Sequence, residues 1–220
     1  DALRSNTTGC HNTAIGKEAL RTSLSGDHNF AAGCIALYSN WGGCGNTAIG
    51  CSTLGDNTTG SYNTALGSGA LTKNTTGCYN TAIGPSALYC NTTGCHNTGI
   101  GQNALYVSLS GKHNFAVGCN ALYSNWGGCY NTAIGQQALT NNTTGNNNFA
   151  VGYLTLINNK TGYSNTAIGN TAMYVNTTGY HNLALGSAAL GNNTDGYGNQ
   201  ALGGCALNSN TTGSHNFAAG

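Results

Sequence analysis

The sequence predicts an all-β chain, a parallel β-solenoid of 13 coils with a 17-residue repeat. Three observations carry this. An asparagine recurs at Asn12, Asn29, Asn46 and onward to Asn216, every 17 residues and without a slip. The unit around it reads N-T-A-I-G-x-x-A-L-x-x-N-T-T-G-x-x, and a short period that never slips marks a stack of coils. Two positions of the unit are glycine in all 13 copies, which sets two corners per coil. Abundant Gly and Asn with few charges would otherwise suit a disordered chain, but disorder does not keep a period.

Columns are numbered here from the asparagine of N-T-A-I-G. Columns five (Gly16 to Gly220) and fifteen (Gly9 to Gly213) are the invariant glycines. Both are expected to need a backbone state that a Cβ forbids. Two corners predict two short strands, one over N-T-A-I and a second beginning at A-L. Column one predicts an axial ladder of asparagine amides, spaced like the strands. Column three is Ala except at Gly99, and column four is Ile, Val or Leu except at Ala32 and Ala219. Column eight is Ala except at Thr53 and Thr155, and column nine is Leu except at Met173.

Adjacent strand residues point to opposite faces, so columns three and four restrict both faces of the strand. That predicts a second surface over the coil, most simply another copy of the chain meeting the Ala face. The alternative is that Ala merely suits a thin coil. The stretch 1–220 begins at column seven and stops at column five, and reads as a single array, a section of a longer fibre without caps. A longer period lies over the first. Residues 11–50 match 96–135 at 31 of 40 positions, an offset of five coils.

Composition narrows function. Only 5% of residues are charged, against roughly 25% in ordinary domains, and the net charge is +1. This excludes a polybasic nucleic-acid binder and a charge-driven membrane binder. No apolar run approaches the roughly 20 residues of a membrane span. No nucleophile, base and orienter recur together and no paired carboxylates appear, so no enzyme activity and no cofactor are expected.

The unit G-x-x-N-T-A-I-G-x-x-A-L resembles the head repeat of YadA-type trimeric autotransporter adhesins, which carry a similar S/N-x-A-I-G-x-x-A core, and the resemblance covers every coil. Similar repeats occur in tail fibres of phages and large viruses. The resemblance implies a left-handed β-roll, a homotrimeric rod and a non-enzymatic role at a cell or virion surface. There it would present a multivalent surface to a host protein or glycan. The alternative is a self-assembling extracellular filament, with or without glycans on its asparagines, whose main partner is itself.

Several residue groups invite chemistry. All six histidines (His11, His28, His96, His113, His181, His215) fall in column seventeen, but Tyr, Asn, Ser and Gly share it, so no metal site is expected. Sequons begin at column twelve at Asn6, Asn57, Asn74, Asn91, Asn142, Asn159, Asn176 and Asn210, with Asn141 and Asn192 off column. They read either as a line of glycans or as plain turn chemistry, and Ser23 and Ser108 in the same column favour the turn. An ice-binding face would need unbroken threonine rows, which Phe30, Phe115, Phe149, Leu24 and Trp41 interrupt. Trp41 and Trp126, with Tyr38 and Tyr123, are candidate contact patches or corner packing.

The ten cysteines suggest an oxidising location. Column spacing allows axial pairs Cys34–Cys51 and Cys78–Cys95, with Cys90 facing either of the latter. Cys34 with Cys44, and Cys119 with Cys129, recur together at the long period and are expected as bonds between chains. Their alternative is a set of free thiols filling small apolar spaces.

Overall fold

The computed structural model describes residues 1–220, and they divide into two compact units, Asp1–Lys112 and His113–Gly220. Each coil contributes one three-residue strand. The first unit holds β1 (Thr13–Ile15), β2 (Phe30–Ala32), β3 (Thr47–Ile49), β4 (Thr64–Leu66), β5 (Thr81–Ile83) and β6 (Thr98–Ile100). The second holds β7 (Phe115–Val117), β8 (Thr132–Ile134), β9 (Phe149–Val151), β10 (Thr166–Ile168), β11 (Leu183–Leu185), β12 (Gln200–Leu202) and β13 (Phe217–Ala219). Within each unit the strands pair in parallel, in chain order and in register, so that Ala48 faces Ala65 and Ala133 faces Ala150. The chain is an all-β parallel solenoid, as its period predicts, and no helix is long and apolar enough to cross a membrane.

The expected second strand at A-L is absent. That segment is a run of turns in which columns seven and nine both take positive φ, as at Ser52 (55°) and Leu54 (51°). Left-handed backbone at alternate positions turns two consecutive side chains inward, which a strand cannot do. Ala70 and Leu71 are accordingly both fully buried. The axial hydrogen bonds continue through the turns: Leu54 N donates to Ala70 O in the next coil, and Ser52 N to Cys34 O in the previous one.

The core is thin and made of small groups. Columns three, eight and nine fill it, with Ala82, Ala87 and Leu88 all fully buried. The Ala of column three therefore lies inside its own coil, and the expected contact between chains through that face is overturned. A strand one coil across from a leucine has room inside for a methyl and little more, which is the thin-coil alternative. Thr53 and Thr155 replace Ala in column eight because their hydroxyls donate to Gly67 O and Gly169 O.

Two asparagine ladders line the corner. In column one, Asn80 donates both its backbone N–H and its Nδ2 to Asn63 Oδ1, at 3.0 and 3.1 Å. The second ladder, in column twelve, was not anticipated from the sequence. Asn74 Nδ2 donates to Asn57 Oδ1 at 2.8 Å and to Gly77 O at 3.0 Å. The same Gly77 carbonyl accepts Asn63 Nδ2 at 2.9 Å, so both ladders converge on one glycine.

The two invariant glycines are needed for different reasons. Gly84, in column five, has φ +126°. Gly60, in column fifteen, has no left-handed φ, but a Cβ there would stand 2.5 Å from both Asn57 Oδ1 and Gly77 O. Column fifteen is glycine because the ladders pass too close, not because of its backbone conformation.

Candidate functional site

With Ala inside, the strand turns columns two and four outward. In the first unit this face carries Ile15, Ile49, Leu66 and Ile83, between 37% and 59% exposed. In the second it carries Ile134 and Ile168 at similar exposure, flanked by the column-two rings Phe115 and Phe149. In-register pairing sets these side chains in straight rows one coil apart. Exposed apolar rows of this length on a sheet are unusual for a surface facing only water.

The cysteines are free thiols. The axial pairs Cys34–Cys51 and Cys78–Cys95 are not bonded within the chain, and all ten thiols are exposed or half-exposed rather than buried filler. Column sixteen shows what its cysteines do. Its backbone N–H lies outside the strand ladder and donates to the side chain of the same column one coil on. Asp27 N donates to Cys44 Sγ, Cys44 N to Ser61 Oγ, Ser61 N to Cys78 Sγ and Cys78 N to Cys95 Sγ, at 3.0–3.4 Å. The same side chains also donate back to the column-fourteen carbonyl of their own coil, Cys78 Sγ to Thr76 O at 3.4 Å and Ser61 Oγ to Thr59 O at 3.2 Å. Cys129 repeats this, taking Asn146 Oδ1 on its N–H and donating to Gly127 O. At Cys44, Ser61, Cys78, Cys95, Cys129 and Asn146 the column carries a small group that donates and accepts at once, as a thiol, a hydroxyl or an amide can; Asp27, Lys112 and the three tyrosines of this column depart from that rule. Burial pushes the Cys90 thiol above its ordinary range.

The column-twelve sequons are inaccessible in the folded coil. Asn57, Asn74, Asn91, Asn142, Asn159 and Asn176 are fully buried, and the amide nitrogen that a glycan would use makes two hydrogen bonds, as at Asn159. Turn and ladder chemistry account for this column, and only Asn6 and Asn210 escape full burial. Asn141 and Asn192, off column, are exposed.

Column seventeen takes positive φ throughout, near 57° at His11 and His28, and its rings stack along the axis. His11 lies on His28 at 4.8 Å, and Tyr79 lies between Tyr62 and His96 at 5.1 and 5.0 Å. In the second unit the column-sixteen rings Tyr163, Tyr180 and Tyr197 form a parallel stack at 4.8 Å, with His181 edge-on to it. Desolvation within this stack, and then the neighbouring phenols, hold the Tyr180 hydroxyl above its ordinary value. Trp41 and Trp126 are exposed at the corner, while Tyr38 is held by Arg21, whose guanidinium donates to its hydroxyl at 3.0 Å. The cavity of about 290 Å³ lined by Thr171, Tyr174, Ala188, Gly191, Asn192 and Asn208 is a shallow groove without convergent charge. No protein-family model, curated protein or solved structure matches the chain.

Proposed function

We propose that the chain is a segment of a non-enzymatic extracellular fibre, the shaft or head of a surface adhesin or virion fibre. In it three copies pack their outward strand faces together. The observation that carries this reading is the pair of aliphatic and Thr/Phe rows on the strands, with Ile49, Leu66 and Ile83 standing exposed one coil apart. Full burial of such a side chain contributes about 1.5–3 kcal/mol, so covering the exposed part of each adds roughly 1 kcal/mol, repeated coil after coil. The number three comes from the resemblance of the repeat to trimeric adhesin heads. Such a rod would present any weak surface contact in three copies and many coils, so that avidity supplies the strength of attachment. In each unit the corner with the exposed tryptophan, Trp41 in the first and Trp126 in the second, is a surface left for a host protein or glycan.

Light scattering tests this. The chain should run at about three times its 22.2 kDa mass. Ile83→Lys with Ile134→Lys should give single chains that keep the wild-type far-ultraviolet spectrum, because these side chains face away from the core. A wild-type chain that is monomeric at tens of micromolar, or a double variant that keeps the larger mass, would overturn the packing.

A further inference from the structure

We propose that Cys78 and Cys95 form a two-coordinate site for a soft monovalent d¹⁰ cation, of the copper(I) class. Both occupy column sixteen in successive coils, and both sulfurs have the same surroundings. Cys78 Sγ accepts Ser61 N–H at 3.3 Å and donates to Thr76 O at 3.4 Å. Cys95 Sγ accepts Cys78 N–H at 3.2 Å and donates to Thr93 O at 3.5 Å. Equivalent contacts fix equivalent rotamers, so the sulfurs are displaced by one coil, about 4.8 Å, along the axis.

That distance discriminates between partners. A disulfide needs its sulfurs about 2.05 Å apart, so the ladder holds these two well outside bonding range. Zinc needs four ligands, and no cluster of three or more metal-ligating side chains is present. Thiolate bonds to tetrahedral zinc are about 2.3 Å and a two-coordinate cation holds its thiolates closer, so two bonds in line span somewhat less than the coil spacing and the two side chains draw together slightly to close them. Soft thiolate pairs select copper(I), whose filled d-shell accepts linear coordination.

The balance is simple. Two thiols release two protons, one cation enters, and a bis-thiolate complex of charge −1 remains. Each sulfur loses its bond to the threonine carbonyl and keeps the backbone N–H that points at it, a donor that stabilises sulfur better once it is anionic. Lys112 follows Cys95 in the same column, one coil on. Both thiols are half-exposed, so the cation can enter from solvent. Cys44, in the same column but next to Asp27 and Ser61, has no such mate.

The test uses the full chain and copper(I) delivered anaerobically in competition with bicinchoninate. Serine already serves this column at Ser61 with the same two contacts, so Cys78→Ser and Cys95→Ser keep the coil. Each should lose the same one tightly held equivalent, the double variant should lose no more than either, and Cys44→Ser should lose none. X-ray absorption of that equivalent should find two sulfurs in line and no further ligand. Unchanged stoichiometry in Cys78→Ser, an equal loss in Cys44→Ser, or three or more sulfurs around the metal would each overturn the site.

Discussion

Ser108→Asn should stabilise the chain. In column twelve each asparagine accepts from the next one, so the ladder runs Asn40, Asn57, Asn74, Asn91 and then meets Ser108. The serine is too short to reach, and the structure leaves two buried oxygens without partners there, Asn91 Oδ1 and Ser108 Oγ. An asparagine at 108 would donate to Asn91 Oδ1 and to Gly111 O, as Asn91 donates to Asn74 Oδ1 at 2.8 Å and Gly94 O at 3.0 Å. Gly111 O already takes Asn97 Nδ2, and its counterpart Gly94 O accepts two amides without difficulty. Each new hydrogen bond contributes about 1 kcal/mol net, and relieving a buried orphan contributes about 1–3 kcal/mol. The bond to Asn91 Oδ1 is itself that relief and counts once, so with about 0.5–1 kcal/mol lost to ordering the longer side chain the gain is about 1–3.5 kcal/mol. Urea unfolding at fixed protein concentration reads it as a midpoint raised by about 1 M for a slope near 2 kcal/mol/M. Asn74→Ser is the mirror, creating at positions 57 and 74 the defect now at 91 and 108, and should lower the midpoint by a similar amount. A midpoint that does not rise in the first variant, with the slope unchanged, refutes the ladder as a source of stability.

Gly60→Ala should cost at least about 3 kcal/mol, since its Cβ would meet Asn57 Oδ1 and Gly77 O at 2.5 Å and no rotation moves the carbonyl; calorimetry or urea unfolding checks it. Cys44→Ala should cost about 1 kcal/mol because Asp27 N–H loses its acceptor, whereas Cys44→Ser should be neutral within about 0.5 kcal/mol, so equal midpoints for the two would contradict the proposed role. Tyr180 has its folded value raised above the ordinary 10.0, so its share of stability is complete below that pH and is lost as pH rises through the raised value. In an absorbance titration at 295 nm Tyr180→Phe should remove a late-titrating phenol, and a titration unchanged at its high-pH end would deny the assignment.

The solenoid was legible because its signal is a period, and a period of 17 needs no knowledge of which side chains face in. The faces were harder. Ala and Ile on adjacent strand positions look like one small and one large core residue, and hydrophobicity alone assigns the larger one inside. The size of the cavity decides instead: leucine already fills a narrow coil, with Leu88 Cδ1 3.4 Å from where a Cβ at Gly99 would stand, so column three stays small and Ile83 is turned out. A sign of the missing second strand was present in the sequence. Columns eight and nine are both restricted and apolar, and two consecutive inward residues require a left-handed turn rather than alternation. The column-twelve ladder was hidden because N-T-T-G is also what a corner prefers, and its serine exceptions looked harmless when each is a break in a buried hydrogen-bond chain.

The same reasoning reorders what the variable columns mean. A column in a solenoid is tested against its own copy one coil away, so the property that must persist is reciprocity along the axis rather than residue identity. Asparagine persists in column one because its amide is donor and acceptor in one plane, and a stack of it closes on itself. Outside Lys112 and the tyrosines, column sixteen drifts among Cys, Ser, Asp and Asn because each can accept the preceding N–H, and most can also donate to their own coil. Where that column becomes Tyr163, Tyr180 and Tyr197, ring stacking at 4.8 Å supplies the axial contact by another means. The outward column four obeys neither rule, since its side chains make no hydrogen bonds, and yet it remains aliphatic at nearly every coil. Hydrogen bonding along the axis does not require that, and neither does the core, and an aliphatic restriction on an outward face is what the proposed packing of a second copy would impose.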